Sequence, residues 1–365
     1  MSTAEAAAGA RAIADLGEEA LLSSFTPLLP STSQAIVPTG DDCAVIGAPD
    51  GRYCVSTDVL VQDEHFRTDW STARDVGARA AAQNLADIAA MGAVPTALVV
   101  SLVLPRTTPV AWVQDLARGF ADACRGTGAG VVGGDLSVGD RVIIAVTVHG
   151  DLDGRRPVLR SGARPGDLVV HAGTLGRSAA GLALLQAGFD DRADEWDAKN
   201  AAAGIAAQCL RIYRAPEPPL ADGPAFADAG ATAMMDVSDG LLRDAGRIAR
   251  ASDVVVDIAD LDGGGGAVDA RRDALGLAVD LVVLEPVAGL LRHDAVAARE
   301  LARQWVLTGG EDHGMLAALP PSAVGRLPEG ARVIGVVRAR GAGESAGVRV
   351  GGRVPERFGW DHFRA

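Results

Sequence analysis

Six aspartates stand where an apolar run should open into a loop, or where a helix turns one face inward. Asp42 lies in PTGDDCAVIG (38–47), Asp58 in CVSTDVL, Asp135 in VVGGDLS, and Asp236 and Asp239 in MMDVSDGLL. Asp87 follows Gln83 by four residues and Asn84 by three in an alanine-rich stretch, so the three share a helix face. Each Asp alone is explained by a turn or a cap. Brought together, six carboxylates repel one another unless cations neutralise them. Mg²⁺ takes oxygen ligands of this kind, and Mg²⁺ in turn points to a phosphate substrate.

A phosphate substrate needs positive partners. The chain has one lysine, Lys199, in DAKNAA, and no G-x-x-x-x-G-K-[ST] motif, so a P-loop is excluded. Arginine must supply the side-chain charge. Arg160 and Arg164, in the glycine-rich run 154–167, are candidates because a guanidinium grips phosphate in two places. Gly133 and Gly134, and Gly309 and Gly310 in TGGEDH, could let backbone N–H groups approach phosphate oxygens, with β-turns as the plain alternative. His65, His149, His171, His293, His313 and His362 form no H-E-x-x-H pattern, and no serine stands in G-x-S-x-G. A hydrolase triad is not indicated.

The elements that would position these residues follow from pattern. At 365 residues the chain suggests two domains. RYCVSTDVL (52–60) reads as a strand, and 71–91 as a helix capped by Ser71 or Thr72 and stopped by Gly92. ALVVSLVLP is a strand, Pro109 to Cys124 a helix, and AGVVGGD and RVIIAVTVHGDL are two more strands. Glycine, proline and arginine accumulate over 154–167 without periodicity, which places a boundary there. Strands DLVVHAG, ATAMMDVSDG and DVVVDIAD then alternate with helices Arg177 to Ala187 and Leu241 to Ala251. The reading is α/β, with domains at 1–153 and 154–365.

Composition narrows the partners. The formal charge is −13 and no Lys/Arg-rich run appears, which argues against nucleic acid. The longest uncharged apolar stretch, 93–104, is far shorter than the roughly 20 residues a bilayer span needs. The N-terminus lacks a basic start and an apolar block, so a cytoplasmic protein is expected. Four cysteines without C-x-x-C spacing suit free thiols in a reducing compartment.

The ordered set GDDCAV, STDVL with EHF behind it, NLADIAAMG, VVGGDLS, RSGARPGD, MMDVSDGL, TGGEDH and GWDHF closely resembles the thiamine-monophosphate kinase family, from about Gly40 to Phe363. The superfamily also holds aminoimidazole ribonucleotide synthetase, selenophosphate synthetase and a hydrogenase-maturation protein. The resemblance implies an ATP-dependent phosphorylation of thiamine monophosphate to thiamine diphosphate, assisted by several Mg²⁺ ions. It implies a two-domain aminoimidazole ribonucleotide synthetase-like fold whose N-terminal domains pair into a shared β-barrel in a homodimer, with a C-terminal α/β domain carrying a C-terminal substrate-pocket segment. Carried over by motif, Asp42, Ser56, Thr57, Asp58, Asp87, Asp135, Asp236 and Asp239 form the Mg²⁺ shell. Gly134, Asp135, Arg160 and Ser238 resemble the ATP contacts, and His65, Glu311 and Trp360 the thiamine-phosphate pocket. An aromatic face and a carboxylate are natural partners for a cationic thiazolium.

Two features depart from the family pattern. His313 stands where the family usually shows tyrosine, and Phe189 to Pro219 carries no family motif and reads as a variable helical region. The run Gly263 to Gly266 reads as a surface loop. Asp41 is expected to shape its turn or to support the metal ligands from behind, and Cys43 to fill space. Two alternatives remain at this level: another ATP-using enzyme of the superfamily, and a non-catalytic nucleotide or thiamine-phosphate binding protein. The chain lacks the reactive cysteine expected of selenophosphate synthetase and the C-terminal cysteine of the hydrogenase-maturation protein.

Overall fold

The computed structural model describes residues 12–16, 18–38, 44–192, 202–261 and 276–359. The chain divides into two compact units, one of Met1–Ile88 with Ala93–Gly154, the other of Ala89–Gly92 with Arg155–Ala365.

In the first unit the order is α1 (Glu18–Phe25), β1 (Ala35–Val37), β2 (Val45–Ile46), β3 (Cys54–Val61), α2 (Ala73–Ala89), β4 (Val94–Leu104), α3 (Val110–Cys124), β5 (Gly130–Val138) and β6 (Ile143–Asp151). Four strands form a sheet in the order β3-β6-β4-β5. β4 and β5 are parallel, a pairing that needs a crossover, and α3 supplies it. Along β6, Ile144, Val146 and Val148 are buried while Ala145, Thr147 and His149 are half-open, the period-two alternation of a sheet covered on one face. Val55 and Val59 on β3 lie on the open face, 57% and 46% exposed.

α2 begins at a reciprocal cap. The Thr72 hydroxyl accepts from the Asp75 N–H (3.2 Å) and the Asp75 carboxylate accepts from the Thr72 N–H (2.8 Å), a capping box with Asp in the acidic position. It ends at Gly92, whose φ of 76° is the left-handed stop expected of glycine. Gly77 on α2 faces the Leu116 carbonyl, and Gly119 on α3 faces the Arg74 carbonyl. Side chains at neither position would let the two helices cross this closely.

The second unit contains β7 (Leu168–Ala172), α4 (Arg177–Gln186), α5 (Ala203–Arg214), α6 (Asp222–Ala229), β8 (Ala233–Val237), α7 (Leu241–Ser252), β9 (Val255–Ile258), α8 (Ala278–Leu291), α9 (Ala295–Thr308), β10 (Gly314–Leu319), β11 (Arg332–Arg338) and β12 (Gly347–Val350). Its six strands run β12-β9-β11-β7-β10-β8. β9 and β12 pair in parallel and the other pairs are antiparallel, so the α/β alternation of the sequence resolves into an α+β layer. β8 and β10 are buried along their whole length. The unmotifed stretch 189–219 contains α5, a helix as expected; residues 193–201 within it, and the glycine run at 263–266, lie outside the described residues. Among the described residues no helix is long and apolar enough to cross a membrane.

Candidate active site

Strand alternation sorts the acidic residues of the first unit. Ser56 and Asp58 sit opposite Val148 and Val146 on β6, the row that faces α2. There the Ser56 hydroxyl donates to the Asp87 carboxylate at 2.6 Å. Asp58, two residues along β3, shares that face. Behind Asp87 the helix face is dry: Gln83 and Asn84 are buried, and the Asn84 amide donates to the Ala80 carbonyl at 2.8 Å. The sequence expectation that these three share a face holds.

Thr57 and Asp135 fall elsewhere. The Thr57 hydroxyl donates to the Val146 carbonyl (2.9 Å) and meets the Thr147 hydroxyl (3.3 Å) on the open face. Asp135 pairs in register with Ser101, and Ser101 with Ala145, which places Asp135 in the same row as the open face. It is exposed and accepts from the Ser137 hydroxyl at 3.3 Å. Gly134 is explained by contact with protein: a Cβ there would overlap the Val100 carbonyl of β4, whereas Gly133 has open space around its Cα. His65 closes the end of β3, its Nδ1 accepting from the Val61 N–H at 3.1 Å. Asp42 and Trp360 lie outside the described residues.

In the second unit the MMDVSDGL motif spans the end of β8 and the turn into α7. Asp236 is buried and lies 3.1 Å from Nδ1 of His313. Asp239 is held by Arg247, with Arg243 Nε at 3.7 Å. Arg247 also donates to Asp244 (2.6 Å), a fully buried carboxylate that accepts from the Asp239 N–H at 2.9 Å. Burial, helped by the charge of Asp236 and opposed by Arg247, pushes the Asp244 carboxyl up to about 7. Ser238 offers its carbonyl to the Glu311 N–H (2.8 Å), and Gly310 lies against the same carbonyl. Arg160 is exposed, its carbonyl accepting from the Ser252 hydroxyl at 3.1 Å, and Arg164 is exposed, its N–H bonded to Asp167.

Sequence reasoning missed a buried polar chain in this unit. Arg177 meets Asp280 (3.4 Å), Asp280 meets Arg332 (2.8 Å), and Arg332 lies 3.3 Å from Nδ1 of His171. His171 is fully buried, and burial, then the Arg332 charge, holds its imidazole well below the usual 6.5. The unfolded chain therefore binds a proton that the folded chain refuses. Stability from this group is complete above about pH 6.5 and is lost as pH falls, at about 1.4 kcal/mol per pH unit. In urea melts between pH 5 and 7.5, His171→Leu should flatten that acid slope. An unchanged slope would assign acid sensitivity to other groups. Such a chain leaves a faint trace in sequence, since a lone His or Asp in an apolar run reads equally as a satisfied core residue.

The Ser56–Asp87 pair, with Asp58 on the same face of β3, offers oxygen donors, the type Mg²⁺ prefers. Among the described residues no group of three His, Cys, Asp or Glu side chains stands ready to hold a metal. Asp135 lies on the open row of the sheet, Asp239 is paired with Arg247, and Asp236 is engaged by His313.

Residues 40–152 match the model of the AIR synthase related protein N-terminal domain. A thiamine-monophosphate kinase of Mycobacterium tuberculosis H37Rv is 43% identical over 322 residues, 88% of this chain and 85% of its own length. Among solved structures, the thiamine-monophosphate kinase of Stenotrophomonas maltophilia K279a aligns with a TM-score of 0.69 at 27% identity, covering 88% of this chain and 93% of its own. AaThiL complexed with AMPPCP and TMP aligns with the same TM-score and identity over 97% of this chain and 99% of its own. With the motif-bearing strands and turns in the expected order, and with identity of this extent, the chain belongs to the thiamine-monophosphate kinase family.

Proposed function

We propose that the protein transfers the γ-phosphoryl group of ATP to the phosphate of thiamine monophosphate, forming thiamine diphosphate and ADP. The observation that carries this reading is 43% identity over 88% of the chain to a curated thiamine-monophosphate kinase; the Ser56–Asp87 contact, with Asp58 on the same face, adds a site for it. The likeness to AaThiL complexed with AMPPCP and TMP supports both substrates.

Joining two anions is chiefly a matter of charge neutralisation and in-line placement. Mg²⁺, when bound, would supply the neutralising charge, and Asp42, Ser56, Thr57, Asp58, Asp87, Asp135, Asp236 and Asp239 are the residues we assign to hold it. Gly134, Asp135, Arg160 and Ser238 are assigned to ATP, and His65, Glu311 and Trp360 to thiamine monophosphate. The acceptor phosphate has a second pKa of about 6 and is largely deprotonated near neutral pH, so a strong base is dispensable. No catalytic base is assigned.

In this reading residues 1–153 are the ATP- and Mg²⁺-binding, dimerising domain, and 154–365 are the C-terminal α/β domain with its C-terminal substrate-pocket segment. The open sheet face with Val55 and Val59 exposed supports a homodimer closing a barrel. Among the described residues, the free thiols Cys54, Cys124 and Cys209 support a cytoplasmic location. Incubating the purified protein with Mg·ATP and thiamine monophosphate should yield thiamine diphosphate by chromatography. No product, alongside turnover of an aminoimidazole precursor or selenide, would overturn the assignment.

A further inference from the structure

The passage from α9 into β10 contains a carboxylate that the proposed chemistry does not use. Asp312 is 2% exposed. It accepts hydrogen bonds from the backbone N–H groups of Gly176 (2.7 Å), Arg177 (3.1 Å) and Ser178 (3.2 Å), and from the Thr174 hydroxyl (3.2 Å). The three amides open α4, where N–H groups lack partners within the helix and the dipole favours an anion. Asp312 therefore satisfies that helix end from within the protein.

Its two neighbours are bent around this anchor. Glu311 has φ 67° and His313 φ 52°, a left-handed region that side chains visit sparsely and keep only where the surroundings over-determine it. The Glu311 N–H bonds to the Ser238 carbonyl (2.8 Å) and the His313 N–H to the Val237 carbonyl (2.9 Å). Residues 311 and 313 are thus stitched to the end of β8, and the residue between them is stitched to α4. The same bend puts His313 on Asp236 and brings its Nε2 to 4.0 Å from the Glu311 carboxylate.

We propose that Asp312 is a positioning residue for thiamine monophosphate: by binding the first turn of α4 it fixes the backbone that presents Glu311. The proposal rests on the kinase reading above, and in it Asp312 touches no substrate. Asp312→Asn keeps the shape but turns an acceptor into a donor facing N–H groups, which disturbs the anchor without opening a cavity.

The test is a double-variant cycle on the full-length protein: wild type, Asp312→Asn, Glu311→Ala and the double variant, each checked by thermal melting. KM is measured for thiamine monophosphate at saturating ATP and for ATP at saturating thiamine monophosphate. Asp312→Asn should raise the thiamine monophosphate KM about tenfold and leave the ATP KM within about twofold. The double variant should be no worse than Glu311→Ala alone, because a residue that acts through Glu311 has nothing left to act on. Additive effects, or equal rises in both KM values, would overturn the proposal. Should Asp312→Asn fail to fold, Thr174→Val removes one donor and leaves the three amides; a rise confined to the thiamine monophosphate KM supports the proposal, and no rise overturns it. Lack of turnover by wild type would instead remove the kinase reading itself, a result distinct from additivity in an active enzyme.

Discussion

Asp87→Asn should lower kcat by at least about 10²-fold, as loss of one element of transition-state charge stabilisation commonly does. The substitution preserves volume and leaves an oxygen that can still accept from the Ser56 hydroxyl, now at 2.6 Å from the carboxylate. What disappears is the charge of Asp87 on the face that Ser56 and Asp58 share, leaving Asp58 as a carboxylate there. The melting temperature should therefore hold while turnover falls, a separation that steady-state kinetics and a thermal melt on one preparation would read. Near-normal kcat would remove Asp87 from the catalytic machinery. Equal losses of turnover and melting temperature would make it a structural residue.

The second large effect is structural and lies where α3 crosses the first turns of the same helix. Gly119→Val should destabilise the first unit by about 2–3 kcal/mol, because overpacking a tight contact forces backbone to move. A side chain at 119 would run into the Arg74 carbonyl and the Ala78 amide nitrogen of α2, and its counterpart Gly77 lies equally close to Leu116. Backbone, unlike the tip of a side chain, cannot rotate away. A lowered urea midpoint with kcat per folded molecule preserved is the expected pattern. An unchanged midpoint would mean that α2 and α3 separate at little cost.

Much of the first unit was legible because its strands alternate and its helices are punctuated. CVSTDVLV became β3, the helix expected over 71–91 became α2 with Thr72 as its cap, and Gly92 ended it. In the second unit the strand–helix alternation was read correctly for β7, α4, β8, α7 and β9, but β10, β11 and β12 passed unread. GMLAAL is uniformly apolar because β10 is buried on both faces, and a short run of that kind cannot be told from a helix segment by period. The site was legible by residue type and less so by side. Ser56 and Asp58 share a face as a period of two dictates and Ser56 meets Asp87, yet the same period sends Thr57 to the other row, where Asp135 also falls. Placing Asp135 needs strand register, which no single strand carries. Asp280 and Asp312 were invisible because their partners lie in distant elements or in backbone amides.

The division of the chain also bears on how it is made. Ala89–Gly92 belongs to the second unit although the chain on both sides of it belongs to the first. Met91 gives its carbonyl to the Val158 N–H, and Gly223 of α6 lies against the Ala89 carbonyl. On the ribosome the first 154 residues emerge well before Gly223, and domains commonly fold as they emerge. The end of α2 must then wait for partners not yet synthesised. The four residues that close α2 thus meet Val158 and Gly223 only after those have been translated.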